Sequence, residues 1–257
     1  MQNSGKAIIV IPLYKTDLPE VELMSLKRTV EVLGQHPFAI ICPDHLDIAP
    51  LSEILKPVNY RVERFKDHYF DGIAGYNSLM LAEEFYQRFT DHEYILICQT
   101  DVFVFRDELL YWCGKGYDYI GAPWIASPDT VLKKLFSIFK NIFGKKKEKN
   151  HHHFKVGNGG FSLRKVSMML HIIHDRAINN HQPIRMEDIY FSIIAPKYIP
   201  EIKIPGYLEA INFCIDRKPD VAMKINKKQI PFACHGFYKP KVKNFWKPII
   251  AKFQTVG

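Results

Sequence analysis

Four short stretches of this 257-residue chain set chemistry-bearing side chains into apolar surroundings. In Tyr94-Ile-Leu-Ile-Cys-Gln-Thr-Asp101-Val-Phe-Val-Phe-Arg106 an apolar strand pattern ends in one carboxylate and then resumes. A carboxylate at the tip of a buried strand is costly unless it holds something, and a metal-bound diphosphate is the obvious candidate; a cap for the next turn is the plainer reading. Val156-Gly-Asn-Gly-Gly-Phe-Ser-Leu-Arg164 puts Gly157, Gly159 and Gly160 ahead of a strand-like run. Glycines so placed bring the backbone very close to a ligand, or else make a tight turn, and their spacing is not that of a dinucleotide fingerprint. In Arg185-Met-Glu-Asp-Ile-Tyr-Phe191 the neighbouring carboxylates Glu187 and Asp188 cannot point the same way. One can face a substrate hydroxyl as general base while the other orients or caps a helix, and helix capping by Asp188 alone is the bland alternative. Finally, Cys234-His235-Gly-Phe-Tyr-Lys239 offers an imidazole for a divalent ion and a lysine for a phosphate, against the commoner role of a histidine as a packed side chain.

The elements that must position these residues alternate. Ala7-Ile-Ile-Val-Ile-Pro-Leu13 is a continuous β-branched run, as expected of a strand buried on both faces of a parallel or mixed sheet. Pro19 to Leu33 carries apolar residues at helical spacing and stops at Gly34; Phe38 to Cys42 is the next strand. A second helix is read from Gly75 to Phe89, delivering the chain to a strand around Tyr94 to Cys98. Asp107 to Trp112 reads as a short helix and Tyr117 to Trp124 as a strand leading into a loop. This order predicts an α/β architecture whose site lies at the carboxyl ends of the strands, where Pro12-Leu13-Tyr14 and Asp101 converge.

Composition, at 47% hydrophobic and 24% charged, is that of a globular chain able to bury one sizeable core. No run approaches the roughly 18 to 20 apolar residues of a membrane span. The start Met1-Gln-Asn-Ser-Gly-Lys6 runs into a strand instead of a signal peptide, so a cytoplasmic protein is expected. The five cysteines, Cys42, Cys98, Cys113, Cys214 and Cys234, are scattered without zinc spacing and read as buried thiols. A net charge of +8 and a pI near 9.1 call for an anionic partner: nucleic acid, a phospholipid surface or a phosphorylated small molecule. The lysines cluster in two segments and no RNA or DNA module is visible, which argues against nucleic acid. Residues 131–147 form a basic amphipathic stretch suited either to an anionic membrane surface or to packing on the domain, and the same choice applies to Lys239 to Lys252. His151-His-His153 directs its side chains three ways and does not read as a metal site.

Together, Gly75-Tyr-Asn-Ser-Leu79, the segment from Tyr94 to Leu109, Tyr117-Asp-Tyr-Ile-Gly-Ala-Pro-Trp124, Gly157 to Arg164, Glu187-Asp188 and His235-Gly-Phe237 resemble GT-A fold glycosyltransferases. The likeness is closest to a domain-of-unknown-function family of glycosyltransferase-like proteins and covers about Ile8 to Lys239. It implies a GT-A-like single domain with a central mixed, mostly parallel sheet flanked by helices, over residues 1–240. The donor half would run to about 125 and the acceptor half from about 155, with a basic insertion at 126–155 and a basic aromatic tail at 241–257. A nucleotide-sugar donor would be held by Pro12, Tyr14, Asn77, Gln99, Asp101 and Lys239, with Trp124, Asn158, Gly159 and Gly160 lining the sugar and acceptor pocket. GT-A enzymes hold a divalent metal, Mn or Mg, through an Asp-X-Asp motif, and here Gln99-Thr-Asp101 keeps only the final Asp. Either Asp101 and His235 share the ion with diphosphate oxygens and water, or lysines pair with the phosphates in its place. The resemblance further implies an inverting transfer, with Asp188 as base and Glu187 in reserve, to a glycan or lipid-linked acceptor, with peripheral membrane contact through 131–147. A non-catalytic nucleotide-sugar or carbohydrate-binding protein on the same fold is the alternative.

Overall fold

The structure is a computed structural model and describes residues 5–126, 153–175 and 186–254. Segment 131–147 and Arg185 lie outside the described residues. Six strands form one sheet in the order β3-β2-β1-β4-β7-β6: β1 Gly5–Pro12, β2 Phe38–Pro43, β3 Tyr60–Phe65, β4 His92–Cys98, β6 Tyr119–Gly121 and β7 Phe161–Lys165. The first four in that order are parallel, and β7 runs against both β4 and β6. The sheet is thus mixed and mostly parallel, as the sequence predicts. A smaller sheet, β5-β9-β8, is built from Val102–Val104, Ala233–His235 and Cys214–Ile215.

Alternation along β1 explains why its apolar run is unbroken. Ile9 and Ile11 pack with Leu26, Val30 and Leu33 of the helix Glu20–Leu33 on one face. Ile8 and Val10 pack on the other with Leu79, Met80, Phe85 and Met169, from the helices Gly72–Met80, Glu83–Gln87 and Val166–His174. A strand between two helical layers needs an apolar residue at every position.

Two elements differ from expectation. The helix expected from Gly75 to Phe89 is two, broken where Ala82 adopts an extended backbone. In one continuous helix, at about 100° per residue, Leu79, Met80, Phe85, Tyr86 and Phe89 would spread over more than half the circumference. The break turns all five inward, and the Tyr86 hydroxyl donates to the Met80 carbonyl left open at the first helix end (3.0 Å). The C-terminal stretch is a packed element instead of a tail: Lys243–Gln254 is a helix whose Trp246 is fully buried, its ring 5.7 Å from that of Phe105. The five cysteines are buried free thiols, as expected. Among the described residues no helix is long and apolar enough to cross a membrane.

Candidate functional site

Strand register brings the predicted residues together. β1 and β4 are parallel neighbours with Val10 opposite Ile97, so the residues just past their carboxyl ends, Pro12 to Tyr14 and Gln99 to Asp101, lie side by side. They line a cleft of about 320 Å³ with Lys15, Leu18, Glu22, Thr100 and Tyr238, a volume typical of small-molecule sites. Antiparallel pairing of β5 with β9 sets Val102 opposite His235, and the Gly236 N–H donates to the Asp101 carbonyl (2.8 Å). His235 therefore reaches Asp101 from a position 134 residues further on by register alone. On the other side, the Gln99 N–H donates to the Gly160 carbonyl (3.0 Å), which continues the β4–β7 pairing up to the glycine run.

The side chains around Asp101 form a charge-balanced cluster. His235 Nε2 lies 3.0 Å from Asp101 Oδ1, His235 Nδ1 lies 3.1 Å from Asp216 Oδ1, and Lys239 Nζ lies 3.0 Å from Asp101 Oδ2. Burial works against the charge on Asp101, but His235 and Lys239 prevail and hold its carboxyl at about 2. Burial likewise opposes charge on His235, yet its contacts with Asp101 and Asp216 lift it to about 9.

GT-A enzymes lead to the expectation of a divalent metal at this point, and the donor set can be tested against it. Among the described residues no group of three His, Cys, Asp or Glu side chains is arranged to hold an ion. Nonetheless the buried His235 Nε2 and Asp101 Oδ1 face each other at 3.0 Å. An imidazole nitrogen beside a carboxylate oxygen suits two ligands that take up one ion as the ring gives up its Nε2 proton. Gln99 Oε1 lies close by: a Cβ added at Gly160 would strike His235 Nε2 and come within 2.7 Å of Gln99 Oε1. One carboxylate, one imidazole and one amide oxygen fit Mn or Mg when diphosphate oxygens and water complete the shell.

The glycine run and the acidic pair meet on the same side of the sheet. Arg164, opposite Ile95 in β4 and Tyr119 in β6, is completely buried and pairs with Glu187 at 2.9 Å. Its Nε donates to Ser162 Oγ (2.9 Å), its Nη1 to the Tyr86 hydroxyl (3.0 Å), and its guanidinium lies 5.4 Å from the Tyr119 ring centre. Burial pushes the Glu187 carboxyl up to about 7, with Arg164 pulling it down. Gly159 is required here because a Cβ would land on the Glu187 carboxylate. Asp188 is half-buried, accepts from the Ile189 N–H (2.8 Å), and is raised by burial.

Other predicted residues act on the backbone. Asn77 Oδ1 accepts from the Glu187 N–H (2.7 Å) at the start of the short helix Glu187–Ile189, so its side chain holds the acidic pair in place. Asn158, at φ +50°, receives the Gly160 N–H on Oδ1 (3.1 Å) and donates through Nδ2 to Asp216 Oδ2 (3.1 Å). Trp124 lies over Gly157, where a Cβ would collide with its ring. Sequence reasoning missed Asp216, which stands one residue past β8, and also Glu22. The Glu22 carboxylate receives the Thr100 and Tyr238 hydroxyls, both at 2.7 Å, and so ties the helix Glu20–Leu33 to both sides of the cleft.

Residues 59–235 match the family described as "Protein of unknown function (DUF5672)". The chain belongs to that family. No curated protein sequence matches it. Among solved structures it is similar to mouse xyloside xylosyltransferase 1 in its apo form, with 11% identity, a TM-score of 0.52, and 90% of this chain and 97% of that one covered. It is also similar to the galactosyltransferase LgtC in complex with donor and acceptor sugar analogues, with 11% identity, a TM-score of 0.50, and 97% of each chain covered. Likeness at such identity establishes the fold. This member of the family has the GT-A fold of glycosyltransferases, with its cluster of Asp101, His235 and Lys239 at the carboxyl ends of the central strands.

Proposed function

We propose that the protein transfers a sugar from a nucleotide-sugar donor to a hydroxyl of a glycan or lipid-linked acceptor. The observation that carries this reading is His235 Nε2 set 3.0 Å from Asp101 Oδ1, at the edge of a cleft of about 320 Å³ that opens at the ends of β1 and β4. In this reading Tyr14, 40% exposed and edge-on to Phe70, offers a ring face to the base. Asp101 and His235, with Gln99 beside them, would hold a divalent ion that supplies positive charge to the departing diphosphate. Lys239, half-exposed and next to Asp101, pairs with a phosphate oxygen.

Asp188 is the base. Glu187 is engaged by Arg164, whereas the second oxygen of Asp188 makes no hydrogen bond among the described residues and its carboxyl is shifted by burial toward neutrality, as suits a proton acceptor. With Asp188 as base, transfer is a single displacement with inversion; a product with the donor's anomeric configuration by proton NMR removes Asp188 from that role. A cytoplasmic location with membrane contact through 131–147 belongs to the same reading and rests on sequence pattern; flotation with anionic vesicles, lost when Lys145-Lys-Lys147 is neutralised, checks the contact.

The neutral Gln99, where GT-A enzymes carry a carboxylate, favours a second reading, a nucleotide-sugar-binding protein without turnover. A panel of nucleotide sugars, assayed for transfer and hydrolysis with and without Mn²⁺, separates the two. Turnover that Asp188→Asn abolishes supports the enzyme; tight binding with no turnover supports the binding protein; no binding of any member of the panel rejects both.

A further inference from the structure

Asp216 is buried and every contact it makes is with a donor. Parallel pairing of β8 with β9 sets Ile215 opposite Cys234, so the next residue of each strand, Asp216 and His235, emerge side by side. Asp216 Oδ1 lies 3.1 Å from His235 Nδ1; Asp216 Oδ2 receives Asn158 Nδ2 at 3.1 Å and lies 3.3 Å from Arg217 Nε. Asn158 is itself fixed, with a left-handed backbone at φ +50° and its Oδ1 taken by the Gly160 N–H. The glycine run thus buttresses Asp216, and Asp216 buttresses the ring that reaches Asp101.

We infer that Asp216 is a positioning residue that fixes the ring orientation of His235, holding Nδ1–H so that Nε2 faces Asp101 and the donor diphosphate and can take a divalent ion in exchange for its proton. A carboxylate is acceptor-only, so Nδ1 keeps the hydrogen that faces Asp216, and Nε2 is the nitrogen that gives up its proton when an ion enters between it and Asp101. Donors facing both oxygens make the carboxylate specifically necessary. The isosteric amide of Asn would turn an N–H₂ toward one of them and break either the His235 contact or the Asn158 contact. The inference rests on the donor-site reading above and adds a residue that no motif in the sequence marks.

The test is the affinity of the full chain for Mn²⁺ in the presence of UDP or of GDP, followed by the electron paramagnetic signal of free Mn²⁺, together with the nitrogen-15 spectrum of the His235 ring with Mg²⁺ and the same nucleotide. Loss of a partner behind a metal-bound histidine typically weakens the metal about 10–100-fold, which is the drop expected for Asp216→Asn. Asn158→Gly, which accepts the positive φ, should weaken it less and in the same direction. The wild-type ring should carry its proton on Nδ1, and in Asp216→Asn that signal should move toward a mixture of tautomers. A purely structural role for Asp216 would not alter the tautomer. Wild-type Nε2 protonation, or wild-type Mn²⁺ affinity in Asp216→Asn with an unchanged circular dichroism spectrum, overturns the inference alone. Absence of Mn²⁺ binding by the wild type with either nucleotide overturns both this inference and its metal-dependent premise.

Discussion

Replacing Arg164 by methionine removes the cation from a fully buried pair while keeping most of its volume, so the cost is electrostatic. Arg164 and Glu187 side chains are 0% and 4% exposed and meet at 2.9 Å, and Arg164 also donates to Ser162 and Tyr86. Breaking one partner of a buried pair costs about 3–5 kcal/mol when the other is left charged or must take up a proton; with the Glu187 carboxyl at about 7, that cost is read at pH 9. At roughly 2–4 °C per kcal/mol for a domain of this size, the midpoint of thermal unfolding should fall by about 6–20 °C. The double variant Arg164→Met/Glu187→Leu has no stranded charge, and replacing a whole buried pair by apolar groups is commonly neutral or stabilising by about 1–4 kcal/mol. It should therefore be more stable than the single variant. Urea unfolding followed by circular dichroism measures both. A single variant that loses less than about 1 kcal/mol, or a double variant no more stable than the single, would refute the reasoning that Glu187 is held by Arg164.

Other outcomes follow from the same geometry. Gly159→Ala drives a Cβ onto the Glu187 carboxylate and should cost about 1–3 kcal/mol in urea unfolding, whereas Gly114→Ala, in open space at a helix end, should be neutral or stabilise by up to about 1 kcal/mol. Trp246→Ala should cost about 3–5 kcal/mol, because the ring is fully buried against Phe105; retention of full stability would show that the Lys243–Gln254 helix is not part of the core. In chelator the stability contributed by His235, raised from 6.5 to about 9, is fully present below pH 6.5 and is lost as pH rises through 9. Asp101, lowered from 3.8 to about 2, contributes above pH 3.8 and ceases to do so as pH falls through 2. The urea midpoint should consequently decline from pH 7 to 9.5, and His235→Asn should flatten that decline; a midpoint level across this range in the wild type contradicts the clamp of His235 between two carboxylates.

Legibility in the sequence tracked the physical range of each signal. β1, β2 and β4 were readable because a strand covered on both faces shows an unbroken apolar run, and the end of β4 gave Asp101 at once. β3, with Arg61, Glu63 and Arg64 on a sheet edge, has no such run and was not seen. The expected convergence of Pro12 and Tyr14 with Asp101 follows from parallel β1–β4 pairing, the 3-2-1-4 order in which a doubly wound alternation of strands and helices sets its fourth strand beside the first. Pairs made by long-range register were beyond reach: Arg164 and Glu187 were each noticed in a motif, but nothing local says that one neutralises the other. Asp216 sits beside unremarkable neighbours, Ile215 and Arg217, and gains its place only when β8 pairs with β9. Asn77 and Asn158 were picked out as ligand-facing polar groups; their hydrogen bonds to the Glu187 N–H and to Asp216 give them backbone and buttressing work.

The most direct test of a donor diphosphate at Asp101 is calorimetric titration of UDP and GDP, each with Mn²⁺, into the wild-type chain and into Asp101→Asn. Asp101→Asn removes the carboxylate that faces His235 and Lys239. Binding of at least one diphosphate by the wild type, weakened about tenfold or more in the variant, is the expected result. Equal affinity in the two proteins, or no affinity of the wild type for either, would contradict it.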